Sequence, residues 1–364
     1  MVEAIRKIVE VESPSDDKAA ADRMGAILAK DFAALGGTVV RHPARDYGDH
    51  LQVNFAGPTE RKPVLLLGHF DTVYPIGTLA QMPCREQQGK LGGPGVLDMK
   101  AGIVLMMFAI EALREWHGSL PRPVTVLLVS DEEVGSTSSR HITETLARQS
   151  AGVLVLEPSY GLRGAVKTAR KGVGEYLVKV TGIAAHAGLD PKKGHSAIVE
   201  LARQIDVIRK LTDLKKGISV NVGVIRGGTR TNVIAAEAVA EIDARIASAG
   251  QARQLDRKLR SLRPFDKHCR IEISGGINRM PLERTPSVVG LYQQARAIAN
   301  HAGWKLPEAS VGGGSDGNFT AGIGIPTLDG LGAVGDGAHA MHEFIETAEL
   351  PKRALLVAGM MEAI

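Results

Sequence analysis

The chain has 364 residues, more than one hydrophobic core usually serves, so its length predicts two domains. Hydrophobic residues make up 44% of the chain and charged residues 23%, the proportions of an ordinary soluble globular protein. The net charge of +4 is spread along the chain without a long block of lysine or arginine, which argues against a nucleic-acid-binding surface.

Neither the cysteines nor the apolar segments indicate export or membrane insertion. Cys84 and Cys269 are too few for a disulfide framework. The longest apolar stretch, residues 101–110, is too short to cross a bilayer, so no membrane partner is expected. A helical pattern begins at once and no signal peptide precedes it, which predicts a cytoplasmic protein. A periplasmic location stays open if the native chain begins further upstream.

Residues 1–171 alternate between helical and strand patterns. Helices are predicted at residues 19–35, 101–116 and 138–149. Four short apolar runs, at residues 63–67, 95–97, 124–129 and 153–156, predict buried strands of a parallel sheet. The same texture returns in residues 282–364, with helices at 288–301 and 350–361 and a strand at 323–328. Residues 1–171 and 282–364 therefore predict one layered α/β catalytic domain with a mostly parallel sheet.

Residues 172–281 have a different sequence pattern, in which the predicted strands alternate apolar and polar residues. Alternating strands are predicted at residues 175–180, 218–225, 237–246 and 269–273, and helices at 195–211 and 251–262. The resulting β-α-β-β-α-β order is that of a ferredoxin-like α+β domain. Because the α/β texture resumes afterwards, we expect this domain to be inserted into the first.

Each of the four apolar runs ends near a residue type that binds metal ions. These residues, with a histidine from a late glycine-rich loop, are His69, Asp98, Glu133, Glu157 and His339. Ligand sites of open α/β sheets lie beyond the carboxyl ends of parallel strands. Imidazole and carboxylate suit zinc, and a carboxylate has the two oxygens needed to bridge two ions. Each residue alone fits an ordinary core, turn or surface position, but together they predict a carboxylate-rich metal site.

Two further carboxylates lie beside these candidate ligands. Glu132 precedes Glu133, and neighbouring residues at a strand end point in different directions, so Glu132 could take the proton of a metal-activated water. Asp71, two residues after His69, could hydrogen-bond the ligand imidazole and fix its tautomer.

Eight segments, in order along nearly the whole chain, resemble one family. They are residues 68–73 (GHFDTV), 93–100 (GPGVLDMK), 131–136 (DEEVGS), 156–158 (LEP), 171–174 (KGVG), 184–188 (AAHAG), 312–316 (GGGSD) and 337–340 (GAHA). The family is that of the dinuclear-zinc carboxypeptidases and aminoacylases, and the chain is most similar to its bacterial glutamate carboxypeptidases. The resemblance implies a zinc-exopeptidase-like catalytic domain whose inserted domain serves as lid and dimerisation domain, and therefore a homodimer.

The resemblance also assigns the metal ligands. It implies two Zn²⁺ ions, with Co²⁺ or Mn²⁺ as alternatives. His69 and Glu157 would be ligands of one ion, and Glu133 and His339 would be ligands of the other. Asp98 would bridge the two ions. Glu132 would be the general base for the bridging water, and Asp71 would support His69. A cis peptide bond is implied between Asp98 and Met99.

Substrate contacts are implied for the inserted domain and one glycine loop. The matching positions are His186, Asn232, Arg245 and Gly314. His186 would help to hold the oxyanion of the tetrahedral intermediate. Asn232, Arg245 and the backbone near Gly314 would receive the terminal carboxylate of the substrate, which suits the planar donor fork of arginine.

Three functions remain open from the sequence. The first is a carboxypeptidase that releases a C-terminal glutamate-like residue from a small peptide or N-acyl amino acid. The second is an N-acyl-amino-acid deacylase of the aminoacylase, deacetylase or desuccinylase type. The third, from another class, is a metal- or ligand-binding homologue without catalysis. Such a homologue would be expected to lack the catalytic base, whereas Glu132 is present in this sequence.

Overall fold

The structure, a computed structural model, describes residues 1–364 and contains ten helices and sixteen strands. The helices are α1 Val2–Val9, α2 Lys18–Ala34, α3 Thr78–Gln81, α4 Ala101–His117, α5 Arg140–Gln149, α6 Ala197–Arg209, α7 Ala249–Arg260, α8 Pro286–His301, α9 Gly317–Gly322 and α10 Leu350–Ala363. The strands are β1 Thr38–His42, β2 His50–Phe55, β3 Val64–His69, β4 Arg85–Gln87, β5 Lys90–Gly92, β6 Val124–Val129, β7 Gly152–Val155, β8 Val166–Arg170, β9 Gly172–Thr181, β10 Ser219–Gly227, β11 Glu237–Ile246, β12 Arg270–Arg279, β13 Glu308–Val311, β14 Thr327–Leu328, β15 Gly335–Asp336 and β16 Phe344–Glu346. None of these helices combines the length and the apolar character needed to cross a bilayer.

The chain divides into two compact units. The first comprises Met1–Ala169, Arg284–Val311 and Ser315–Ile364, and the second comprises Arg170–Glu283 with Gly312–Gly314. The sequence-predicted boundaries, 171/172 and 281/282, lie two residues from these divisions. Gly312–Gly314, which the sequence placed with the catalytic domain, groups with the second unit.

A six-stranded sheet forms the centre of the first unit, in the order β1-β2-β6-β3-β7-β14. Strands β6, β3, β7 and β14 are parallel, while β2 and β1 extend the sheet in antiparallel pairing. The prediction of a mostly parallel sheet in a mixed α/β fold is therefore confirmed.

Both faces of this sheet are covered, which explains why its central strands are apolar without alternation. Leu66 and Val126 belong to one core cluster, and Leu65 and Leu127 belong to another on the opposite face. Because successive side chains of a strand point to opposite faces, every position of β3 and β6 is buried. Apart from Thr125 of β6, whose hydroxyl is hydrogen-bonded to Asn54, polar side chains appear in β3 and β6 only at the strand ends.

One of the four predicted apolar strands is wrong. Residues 95–97 form no strand, and Val96–Lys100 is a turn with non-helical backbone angles at Asp98 and Met99 that leads directly into α4. Val96 and Leu97 are apolar because they are buried in the core of the first unit. An apolar run of three residues does not distinguish a strand from a buried turn, since strands are typically at least four residues long and so short a run shows no clear periodicity. Of the strand predicted at residues 323–328, only Thr327–Leu328 is observed, as β14.

The second unit contains a four-stranded antiparallel sheet in the order β10-β11-β9-β12. With α6 between β9 and β10 and α7 between β11 and β12, this is the order and arrangement of a ferredoxin-like unit. Alternate residues of the strands, such as Val178 and Ala240, pack with Leu201 of α6 and Leu255 of α7. The helices therefore cover one sheet face, which accounts for the alternating pattern in the sequence.

Candidate metal centre

Five separate loops and strand ends carry the candidate metal ligands, all of them in the first unit. His69 is the last residue of β3, Glu133 lies in the turn after β6, and Glu157 follows β7 by two residues. Asp98 is in the turn before α4, and His339 is in the loop between β15 and β16. The parallel order of β6, β3 and β7 brings three of these positions to the same sheet edge.

The five side chains form two groups that share one carboxylate. In the first group, His69 Nε2 lies 3.2 Å from Asp98 Oδ1 and 3.4 Å from Glu157 Oε1. In the second, His339 Nε2 lies 3.2 Å from Glu133 Oε1 and 3.3 Å from Asp98 Oδ2. Each group therefore has one imidazole and two carboxylates, and Asp98 offers one oxygen to each.

A close contact between α4 and the end of β7 places Asp98 near Glu157. A Cβ atom added to Gly102, in the first turn of α4, would lie 2.2 Å from the carbonyl oxygen of Leu156. Only glycine allows this approach, since real Cβ atoms do not come so near. The peptide bond between Asp98 and Met99 is cis, as the family resemblance implied.

Asp71 orients both His69 and the turn that carries the two glutamates. His69 Nδ1 lies 3.0 Å from the carbonyl oxygen of Asp71 and 3.4 Å from its Oδ1, which leaves Nε2 for a metal ion. The backbone N–H groups of Glu132 and Glu133 donate to the Asp71 carboxylate at 3.3 and 3.2 Å. Ser15 Oγ donates to the same carboxylate at 2.7 Å. One fully buried carboxylate thus connects a candidate ligand histidine to the candidate base.

The electrostatics of the site favour added positive charge. Burial raises the pKa of Glu133, while hydrogen bonds to Asp98 and Glu133 raise the pKa of His339 to about 10. Burial opposes charge on His69, but hydrogen bonds to Asp71, Asp98 and Glu157 raise its pKa well above its ordinary value. The carboxylates therefore draw protons to the histidines when no other cation is near.

A pair of divalent ions fits this donor set. Each group offers nitrogen and oxygen donors of the types that zinc and its neighbours accept, and only a carboxylate can serve both groups at once. A cation in each group would also relieve the repulsion among three carboxylates gathered in a small, mostly buried space.

Glu343 is a buried residue of this site that the sequence did not reveal. Its carboxylate accepts the backbone N–H groups of Gly95, Leu97 and Asp98 at 3.1, 2.7 and 2.9 Å, and the Tyr74 hydroxyl at 2.7 Å. Burial raises the pKa of Glu343 to about 7. The residue lies four positions after His339, and an acidic residue directly before the apolar strand β16 was the only signal. Glu343 therefore holds the turn that presents the shared Asp98.

Replacing Glu343 by alanine should reduce the free energy of unfolding of the metal-free protein by about 3 kcal/mol, because three buried N–H groups lose their acceptor. Chemical denaturation of chelator-treated protein measures this. Glu346→Ala, three residues further along in β16, is the matched control: Glu346 pairs with Lys90 across 3.7 Å near the surface, a pair worth less than about 1 kcal/mol. Equal effects of the two substitutions would contradict the assigned role.

The candidate substrate residues all fall in the second unit. His186 and Asn232 are on adjacent segments, because His186 bridges to Val233 and Ala187 N–H donates to the Asn232 carbonyl at 3.0 Å. The exposed His186 ring accepts the N–H groups of Gly188 and Leu189 at Nδ1, each at 3.1 Å, which places its proton on Nε2.

Arg245 and Gly314 also have partners within the second unit. Arg245 binds Asp243 through Nε and Nη2, the shortest distance being 2.7 Å. The Gly314 carbonyl accepts Arg170 Nη1 at 3.2 Å. The roles of these residues in substrate binding stay predictions.

Sequence comparison decides the family. The model of peptidase family M20/M25/M40 matches residues 65–363, most of the chain. The chain belongs to this family. It is therefore a hydrolase of a metallopeptidase family, and the five residues above form its candidate metal-ligand groups.

Two relatives match this M20 chain over most of both sequences. Carboxypeptidase G2 of Pseudomonas sp. strain RS-16 is 27% identical over 369 residues, which cover 99% of this chain and 88% of the relative. Succinyl-diaminopimelate desuccinylase of Acinetobacter baumannii is 28% identical over 350 residues, which cover 89% and 88%. The relatives of this chain thus include both a carboxypeptidase and a desuccinylase.

Two solved structures share the fold of this M20 chain. Aminopeptidase PepT from Bacillus cereus superposes with a TM-score of 0.81 at 24% identity and covers 99% of this chain and 97% of its own. An M20 metallo-carboxypeptidase from Sulfolobus solfataricus gives a TM-score of 0.73 at 15% identity, with 99% and 98% covered. At these identities the likeness shows the fold and leaves the substrate open.

Proposed function

We propose that this M20 hydrolase is a carboxypeptidase that uses two divalent metal ions to release a C-terminal glutamate-like residue. The observation that carries the two-metal part is the sharing of Asp98, whose two oxygens face His69 and His339 at 3.2 and 3.3 Å. The similarity to carboxypeptidase G2 along 99% of the chain supports the carboxypeptidase part.

Two sets of residues would hold the ions. His69 and Glu157 would bind one, His339 and Glu133 the other, and Asp98 both. Zn²⁺ is the expected ion, with Co²⁺ or Mn²⁺ as alternatives. When bound, such ions would polarise the carbonyl group to be attacked. They would also lower the pKa of a bound water molecule to near neutrality.

Proton transfer in the reaction falls to Glu132. This residue is partly exposed beside the candidate ligand Glu133, and its backbone N–H is fixed by Asp71 at 3.3 Å. As general base, Glu132 accepts a proton from the attacking water. As general acid, it then gives that proton to the nitrogen of the leaving group as the C–N bond breaks, so that the nitrogen leaves as a neutral amine rather than as an amide anion.

The second unit would supply the substrate contacts as a lid and would also form a homodimer. His186 would donate from Nε2 to the developing oxyanion, since its Nδ1 already accepts two backbone N–H groups. Asn232, Arg245 and the backbone at Gly314 would bind the terminal carboxylate. Because Asp243 occupies Nε and Nη2 of Arg245, a substrate carboxylate must use the remaining edge of the guanidinium or displace Asp243.

Deacylation of N-acyl amino acids is the second candidate function. The similarity to succinyl-diaminopimelate desuccinylase over 89% of the chain favours it, since the same metal ligands and base would hydrolyse either amide bond. The two candidates differ only in which side of the amide the protein recognises.

A substrate panel with controlled metal content tests these proposals. The enzyme, treated with a chelator and then reloaded with Zn²⁺, Co²⁺ or Mn²⁺, should lose and regain hydrolysis of glutamate-terminated dipeptides and N-acyl-glutamates. Faster turnover of N-succinyl or N-acetyl diamino acids would favour the deacylase. Activity that is indifferent to chelation would contradict the metal mechanism, and fully loaded protein without any activity on the panel would favour a binding role.

A further inference from the structure

We propose that the second unit contains a separate binding site for one divalent transition-metal ion of the zinc class, formed by His195, Asp266 and His268. None of these residues belongs to the centre described above, and all three lie within the second unit. His195 directly precedes the N-cap of α6, while Asp266 and His268 lie in the loop between α7 and β12. The proposal is independent of the substrate assignment.

The three side chains are already gathered. One potential ligand atom from each lies within 4.8 Å of the other two. His195 Nδ1 is 2.7 Å from Asp266 Oδ2, and the centroids of the two imidazole rings are 4.1 Å apart with an angle of 34° between the rings. This is the third group of such donors in the molecule, beside the two that share Asp98.

Backbone contacts hold these donors in place. The N–H and carbonyl of His195 pair with the carbonyl and N–H of Ile183, each at 2.9 Å. The N–H groups of Phe265 and Asp266 donate at 3.0 Å to the two oxygens of Glu200, a carboxylate that is only 1% exposed. Glu200 belongs to α6, the helix that begins just after His195. Both halves of the cluster are therefore anchored to one helix, which lowers the ordering cost of binding an ion.

The donor types of the cluster, two imidazoles and one carboxylate, are those that zinc-like ions accept. Asp266 Oδ1 accepts a hydrogen bond from the backbone N–H of His268 at 3.0 Å. The carboxylate is therefore fixed with Oδ2 toward His195. One ion would accept a nitrogen from each ring and an oxygen from Asp266. Three protein ligands at a partly exposed position would leave the fourth place of a tetrahedral zinc to water.

An ion bound here would connect the start of α6 to the loop after α7. His195 and Asp266 are 71 residues apart in the sequence, so the ion would add a cross-link to the contacts that Glu200 already makes between the two segments. The site therefore lies at one end of the second unit, where it would bind an ion through both segments.

Zinc stoichiometry under equilibrium dialysis tests the proposal. Full-length protein carrying His268→Ala should bind one Zn²⁺ per chain fewer than the unaltered protein at the same free Zn²⁺ concentration. His301→Ala, which removes an exposed histidine at the end of α8, is the matched control and should retain the full number. Because the measurement is a difference, it does not depend on how many ions the first unit holds. Equal binding by His268→Ala and the unaltered protein would overturn the proposal.

A second measurement follows the rings directly in the unaltered protein. On titration of chelator-treated protein with Zn²⁺, the imidazole ¹⁵N resonances of His195 and His268 should shift together with a single midpoint. In the His268→Ala variant the shift at His195 should be lost. Resonances of both rings that stay unmoved up to Zn²⁺ saturation of the first unit would also overturn the proposal.

Discussion

Replacing Glu132 by glutamine is expected to lower kcat by about 10²–10⁴-fold while leaving the metal content unchanged. Glutamine has nearly the same shape and still accepts hydrogen bonds, but it cannot take up or return a proton. The backbone N–H of residue 132 would still donate to Asp71, so the turn that carries Glu133 should stay in place. Steady-state kinetics on a glutamate-terminated dipeptide, together with metal analysis of the same sample, measures both parts of the prediction.

Two comparisons make this result specific. Glu115→Gln, an exposed substitution of the same kind in α4, should keep the turnover of the unaltered enzyme. A Glu132→Gln enzyme with undiminished turnover would show that another group is the base. Loss of metal from that variant would instead mean that Glu132 is a ligand.

The second large effect is expected from Asp98→Asn, which should weaken the binding of both ions and abolish activity. An asparagine side chain carries no charge and offers one oxygen, so it cannot serve both His69 and His339 groups as the carboxylate does. Loss of a residue that only orients a ligand typically costs 10–100-fold in metal affinity, so loss of a shared ligand should cost at least about 100-fold at each position. Competitive titration with a chromophoric chelator measures both affinities.

Substitutions that affect one group alone provide the contrast. Glu157→Gln should weaken mainly the ion next to His69, and His339→Ala mainly the ion next to Glu133, because each of these residues contacts one group. An Asp98→Asn protein that binds two ions as tightly as the unaltered protein would refute the bridging assignment. A uniform loss in all three variants would indicate that unfolding, rather than ligation, is being measured, and circular dichroism separates the two.

The apolar runs before His69, Glu133 and Glu157 could be identified from the sequence because strands leave a local signal. A strand buried on both faces favours a nearly continuous apolar run, and charged side chains appear where that strand ends. This made β3, β6 and β7 recognisable and placed three candidate ligands at one sheet edge. The alternating strands of the second unit were recognisable for the complementary reason, since one of their faces is solvated.

The turn around Asp98 could not be predicted in the same way. Its apolar residues are buried by packing against distant parts of the first unit, so their pattern imitates a strand without being one. Glu343 was missed because its carboxylate accepts hydrogen bonds from three backbone N–H groups about 245 residues away in the sequence. No local pattern encodes such a contact. The His195, Asp266 and His268 cluster is likewise made by two segments that carry no common motif.

By itself the sequence determined which residue types stand at the ends of the buried strands, since strand length, burial and the first polar position are properties of short segments. Only the tertiary structure decided that one carboxylate lies between two histidines. That arrangement needs the close approach of Gly102 to Leu156 and the hydrogen bonds between Glu343 and the backbone of the Asp98 turn. Both are contacts between segments far apart in the chain, and their geometry depends on how whole layers of the fold pack together.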